Sequence, residues 1–155
     1  MKKLLFLSFA LCLFTTVASA QKITEKDLQG KWKLDYFNAD GVVFDVVKGK
    51  VTISEETKKQ MPPETVEQME NNPEAVIEPF KSAYVVFNNN NFEQTMGSDS
   101  SGGIYTLVEK DKQTFMNIAF QDGVTDSSTL LIKDNKLHIT ITGEGDNILM
   151  IYSRE

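Results

Sequence analysis

The chain is nearly free of the residues that carry redox and metal chemistry. It has one cysteine, Cys12, one histidine, His138, and one tryptophan, Trp32. Cys12 lies in an N-terminal apolar stretch with the marks of an export signal, so the mature chain keeps no cysteine. That excludes a disulfide framework, thiol chemistry and a thiolate metal site. A lone histidine builds no haem or metal centre without partners, and no second histidine is there to supply one. No nucleophile elbow marks an activated serine, and no glycine-rich phosphate loop follows a strand and opens a helix. Proline is scarce as well: Pro62, Pro63, Pro73 and Pro79 are all there is, and they punctuate a single stretch. Basic residues are outnumbered, 16 Lys and Arg against 22 Asp and Glu, a formal charge of −6. This acidity argues against phosphate backbones and anionic membrane surfaces as partners.

What is present begins with a leader. Lys2 and Lys3 make a positive start, Leu4 to Val17 is almost continuously apolar, and Ala18-Ser19-Ala20 offers a small-residue cleavage site. Residues 1–20 are therefore read as a cleaved signal peptide, with cleavage before Gln21 and export to the periplasm or the exterior. The apolar run is too short to favour a lasting membrane span. Cys12 is not read as a lipid anchor, because Leu11 stands where a small residue is required. Residues 21–155 then form one soluble domain. Loss of Lys2 and Lys3 moves the formal balance from −6 to −8.

The mature chain opens on Leu28-Gln29-Gly30-Lys31-Trp32-Lys33-Leu34-Asp35-Tyr36. Trp32, Leu34 and Tyr36 alternate with Lys31, Lys33 and Asp35, the period of a half-buried strand over about 30–37. Gly30 permits a tight backbone just before the tryptophan, and Thr24 to Asp27 can form one helical turn ahead of it. Asp40-Gly41 predicts a turn. The β-branched run from Val42 to Val51 is either a second strand or an extended segment crossing one end of the molecule. From Ser54 to about Ser82 the period becomes helical. Ser54 caps a first helix, Pro63 and Pro73 suit the first positions of further helices, and Pro79 limits the last. Val66 with Met69, and Val76, Ile77 and Phe80, form apolar stripes, facing the core or serving as a lid. From Ala83 onward short strands recur between turn residues, with Gly97 to Gly103 read as a loose loop and Asp134-Asn135 as a compact hairpin turn. The count is eight strands, seven of them consecutive and antiparallel. Closure into an up-and-down β-barrel removes the two edges an open sheet would expose, and the inserted helices would cover one end.

This arrangement resembles the bacterial secreted lipocalin-like domains of the broader calycin superfamily. The matching pieces are Leu28 to Leu34, the insert ending Phe80-Lys81-Ser82-Ala83-Tyr84-Val85-Val86-Phe87, Phe92, Gly103-Ile104-Tyr105-Thr106-Leu107, and Ile148 to Arg154. The resemblance implies a small barrel with room for an internal ligand. It also implies that a basic residue near the last strand, here Arg154, crosses the face of Trp32 and, with Gly30, closes the barrel structurally. The long helical insert departs from eukaryotic lipocalins, so their ligand classes do not carry over.

Alternation assigns Tyr36, Phe80, Phe92, Met96, Tyr105, Met116 and Met150 to the barrel interior as candidate ligand contacts, beside Trp32, Leu34 and Ile118. Methionines suit both a filled core and a permissive pocket, and an eight-stranded barrel is near the size at which side chains either fill it or admit one small ligand. A mostly filled interior with a shallow mouth is the expectation. His138 is expected on the outer face. Asp35, Asp40 and Asp45 are read as surface and turn residues, and Ser98 to Gly103 resembles a calcium loop in composition without its regular oxygen spacing. The sequence thus predicts a monomeric, non-enzymatic protein that needs no cofactor or metal. Its partner would be a small apolar or amphipathic ligand. The competing expectation is a filled barrel that meets another envelope protein.

Overall fold

The computed structural model describes residues 22–143 and 147–155. Residues 1–21, which hold the expected signal peptide and Cys12, and residues 144–146 lie outside them. In chain order the elements are α1 (Glu25–Leu28), β1 (Gly30–Ala39), β2 (Val42–Asp45), β3 (Lys50–Ile53), α2 (Glu55–Gln60), α3 (Pro63–Asn71) and α4 (Pro73–Lys81). There follow β4 (Tyr84–Asn88), β5 (Asn91–Met96), β6 (Asp99–Lys110), β7 (Gln113–Phe120), β8 (Thr125–Lys133), β9 (Lys136–Thr142) and β10 (Asn147–Arg154). Every strand pairing is antiparallel. β1 and β4 to β10 pair in sequence and β10 returns to β1, which closes an eight-stranded barrel. β2 and β3 are two strands beyond it.

The extra pair follows from the length of β1. Gly30–Lys33 pairs with β4 and completes the barrel wall, whereas Tyr36–Ala39 pairs with β2 on the same side. The Val42–Val51 run is thus neither one strand nor a crossing segment. It is a hairpin, folded at residues 46–49 and leaning out from the barrel rim.

Helix boundaries follow the residues that cap them. The Asp27 carboxylate accepts from the Thr24 N–H at 2.8 Å and from its hydroxyl at 2.6 Å, which tightens the turn before Leu28 and holds the Asp27 carboxyl below its ordinary range. Ser54 Oγ accepts from the Thr57 N–H at 3.2 Å, and Asn72 Oδ1 from the Ala75 N–H at 3.4 Å. Pro63 and Pro73 open their helices, where no amide hydrogen is needed. Asp134 and Asn135, both at positive φ, make the tight turn between β8 and β9.

Two expectations from the sequence need correction. The alternation in β1 is broken: the pairing with β10 runs Leu34 to Tyr152 and then Tyr36 to Ile151, so a bulge at Asp35 shifts the strand by one residue. Phe37, opposite Met150, joins the core in place of Tyr36. Asp35 pins the bulge, since its carboxylate accepts from Lys136 Nζ at 2.7 Å and from Ser153 Oγ at 2.9 Å. Replacing Asp35 with alanine is expected to cost about 1–2 kcal/mol, given that Lys136 is partly solvent-screened. Urea denaturation measures it, and an unchanged midpoint would mean the bulge stands without its pin.

The second correction concerns Gly97 to Gly103. Only Gly97 and Ser98 turn, and β6 begins at Asp99. Gly103 is in the strand because β7 passes too close for a side chain. A Cβ there would stand 2.2 Å from the Ala119 carbonyl oxygen. This also removes the calcium-loop resemblance, because a paired strand presents its side chains alternately to opposite faces.

Candidate functional site

The two ends of the barrel are built differently. At the end nearest the described N-terminus, α1 lies across the opening. Trp32 is 2% exposed, and its indole N–H donates to the Leu28 carbonyl at 2.6 Å. The Arg154 guanidinium lies 4.5 Å from the centre of the Trp32 ring and donates to the Asp27 carbonyl, so the final strand clamps the helix to the tryptophan. The Tyr105 hydroxyl donates to the Asn89 carbonyl at 2.7 Å, and Gln29 holds both the N–H and the carbonyl of the same residue. Burial pushes the Tyr105 hydroxyl above its usual pKa. Gly30, at φ +109°, starts the strand that carries Trp32 into this base.

Above the base the interior is solid. Leu34, Phe87, Met116 and Leu137 are almost wholly shielded, as are Trp32 and Tyr105. Side chains so shielded line no water-sized void. Tyr152 is buried opposite Leu34 with its hydroxyl against the Met150 sulfur at 3.2 Å. Burial pushes its pKa far above the ordinary tyrosine range. The unfolded chain releases this proton near pH ~10 while the folded chain keeps it. Stability should therefore hold below pH ~10 and fall as the pH rises past it, by up to about 1.4 kcal/mol per pH unit for this group. Urea midpoints at pH 8, 10 and 11 test this. Tyr152→Phe should flatten the decline, and an equal decline in the variant would assign it elsewhere.

The opposite end is softer. Phe37, Phe80, Met96, Phe120, Ile141 and Ile148 pack against the core cluster but stay partly exposed. Phe37, Phe44 and Phe80 form an aromatic trio with centroid separations of 5.8, 5.4 and 4.8 Å, joining β1, β2 and α4. Ile77 of α4 is fully buried beneath the insert, and the Gly97 N–H donates to the Pro79 carbonyl at 3.0 Å. Between α4 and the β5–β6 turn lies an open cleft of about 570 Å³, lined among others by Ala75, Pro79, Met96 and Ser98. Two buried polar atoms find no partner among the described residues, Asn38 Oδ1 and Ser128 Oγ. Ser128, 2% exposed, sits in register with Met116, which belongs to the core cluster.

Of the interior candidates, Phe92, Tyr105, Met116 and Met150 lie in the buried cluster, and Phe80 and Met96 pack against it at the soft end. Tyr105 belongs to the base and Met116 to the solid middle, so neither is near the mouth. Tyr36 is outside the cluster for the reason given above. The alternation missed Phe37, Phe44 and Phe120. The sign of Phe44 was an aromatic within a valine run, whereas Phe37 was hidden by the bulge. Phe92 and Phe120 are both register partners of Gly103 and meet edge to face at 5.5 Å.

His138 is half-buried on β9, between Leu131 and Ile151 in the pairing. Burial first, then Lys133 and Lys136, lowers its pKa. Asp40 accepts from the Asn147 N–H, and Asp45 pairs with Lys48. Among the described residues no three His, Cys, Asp or Glu side chains are grouped to hold a metal, and no helix is long and apolar enough to cross a membrane. Outside the barrel a shallow groove runs over β4 to β7, lined by Val86, Glu93, Gly102, Ile104 and Ala119, with Ile104 51% exposed. Compared with known proteins, the chain matches no protein-family model, no curated protein and no solved structure. The antiparallel eight-stranded barrel is consistent with a calycin-like fold on its architecture alone.

Proposed function

We propose that this chain is an exported, lipocalin-like binding protein that accommodates a small apolar or amphipathic ligand at the mouth of its barrel. The observation that carries the reading is the gradient along the barrel. The base and middle are sealed by side chains that exclude water, whereas Phe80, Met96 and Met150 face a mouth of incompletely buried aromatic and methionine side chains. Methionine and aromatic side chains repack around varied apolar shapes at little cost. Export rests on the pattern of residues 1–20. The protein acts without catalysis, as a soluble monomer in the periplasm or outside the cell.

Native mass spectrometry of protein purified from its own host, followed by solvent extraction, tests this. The expected result is a chain beginning at Gln21 with a stoichiometric apolar adduct. A second reading, a filled-barrel interaction protein of the envelope, is favoured by the solid middle and by the exposed Ile104 and Val124 on the outside, the latter 55% exposed. A clean apo mass together with a co-purifying envelope protein would favour it.

A further inference from the structure

We propose that the ligand at the barrel mouth is a cationic amphiphile, with a primary ammonium head and an apolar tail. This rests on the binding reading above and names the charge that its ligand carries. Three observations converge on it. The first is that charge is divided along the barrel axis. The β1–β2, β5–β6 and β7–β8 turns and the helical insert ring the mouth. The base is surrounded by α1, the β4–β5, β6–β7 and β8–β9 turns and the C-terminus. Around the mouth, Asp40 and residues 54–82, 97–99 and 121–126 hold eleven carboxylates and three lysines. Around the base, residues 22–33, 109–112, 133–136 and 154–155 hold nine basic residues and six carboxylates. Two of the mouth lysines are already engaged, Lys58 with Glu55 and Glu70, and Lys81 with Glu78. Charge of one sign around an apolar recess focuses its field on whatever enters, and favours the opposite sign.

The second observation is a recess in this rim that offers unspent acceptors. The tip of the β1–β2 hairpin, α2 and the start of β10 bound a space of about 310 Å³. Its wall is held by Thr57 Oγ1 donating to the Asp40 carbonyl at 2.8 Å and the Ser54 N–H to the Gly41 carbonyl at 2.8 Å. The Asn147 N–H donates to Asp40 Oδ1 at 3.0 Å. Asn38 Oδ1 lines the same recess, shielded from solvent and without a partner among the described residues. The Asp40 and Glu56 carboxylates stand beside it, and no lysine or arginine is among its described lining residues. An ammonium N–H satisfies the Asn38 oxygen while its charge answers the carboxylates, whereas an anionic head does neither.

The third observation is the apolar surface itself. The faces of the partly exposed Phe37 and Phe80 rings carry the negative side of their quadrupoles, which attracts an ammonium group. Phe37 and Phe44 alternate along the β1–β2 hairpin with Asn38 and Val43, so apolar and polar seats share one short hairpin.

Calorimetric titration of the mature chain with dodecylammonium and with dodecanoate, which share a tail and differ in head charge, tests this. At low ionic strength the ammonium should bind at least ten-fold more tightly than the carboxylate, one molecule per chain. The ratio should shrink as salt is added, because the rim charges are exposed to screening. Asp40→Asn/Glu56→Gln keeps the shape of the recess and should lose most of the preference. Glu109→Gln/Asp111→Asn, which removes two carboxylates from the base, should keep it. Equal affinity for the two heads, or tighter binding of dodecanoate, would overturn the cationic ligand and leave the binding reading standing. A preference as large in the recess variant as in the wild type would overturn it too, since the charge would then act from elsewhere. Binding of neither amphiphile would overturn both readings. Should the recess variant not fold, the wild-type ratio and its salt dependence decide the matter alone.

Discussion

Replacing Trp32 with alanine is expected to lower the unfolding free energy by about 3–5 kcal/mol, the range for truncating a buried aromatic. The side chain is 2% exposed at the centre of the base, so its removal leaves a cavity that α1, β1, β4 and β10 cannot all collapse into. The Leu28 carbonyl loses its indole donor and Arg154 loses the ring it lies over. Those losses overlap with the cavity and are not added to it. A domain of this size is stable by only about 5–15 kcal/mol, so the variant should be close to unfolding at physiological temperature. Trp32→Phe keeps most of the apolar volume but not the N–H, and should cost about 1–2 kcal/mol. Urea denaturation followed by circular dichroism measures both, since tryptophan fluorescence is lost. A change below about 1 kcal/mol for the alanine variant would remove Trp32 from the base.

Gly103→Ala should be nearly as damaging, at about 3 kcal/mol or more, although it adds a single methyl group. The new Cβ would meet the Ala119 carbonyl oxygen at 2.2 Å, the Ala119 carbonyl carbon at 2.9 Å and the Phe120 Cα at 3.0 Å. All three are backbone atoms, so no flexible side chain can swing aside, and relief requires β6 and β7 to separate. The neighbouring Gly102 is a built-in control. Its Cβ would come no closer than 3.0 Å, to the Phe92 carbonyl oxygen, and the cost there should be about 1 kcal/mol. Thermal and urea denaturation of the two variants side by side give the comparison. Equal costs, or a Gly103 variant within about 0.5 kcal/mol of the wild type, would mean that the β6–β7 register is not the one described.

How much of the fold was legible in the sequence depended on how local each cause is. The barrel could be read because alternation, turn residues and capping residues act within a few positions: Asp134-Asn135 makes its turn and Ser54 caps its helix without reference to the rest of the chain. The bulge could not. It is held by Lys136 and Ser153, 101 and 118 residues away from Asp35, so nothing near Tyr36 shows that the alternation fails there. Gly103 misled in the opposite direction. Its Ser, Gly and Asp neighbours favour a loop, but the glycine answers to a strand that arrives from Ala119. The site was divided in the same way. Met96 and Phe80 follow from their strand and stripe, whereas Phe37 and Phe44 reach the mouth only because β1 outgrows the barrel and carries a hairpin to meet α4.

The central claim is that ligand occupies the mouth of a barrel whose middle is solid, and the methionines report on it from different depths. Met96 floors the cleft, Met150 pairs with Phe37 below it, Met116 lies in the solid middle and Met69 sits on α3. Protein labelled with ¹³C at the methionine methyls would be titrated with N-phenyl-1-naphthylamine and followed by NMR. The predicted result is a saturable shift of Met96 and Met150, with Met116 and Met69 unmoved. Shifts as large at Met116 would contradict the solid middle, and saturable binding that moves none of them would contradict the mouth.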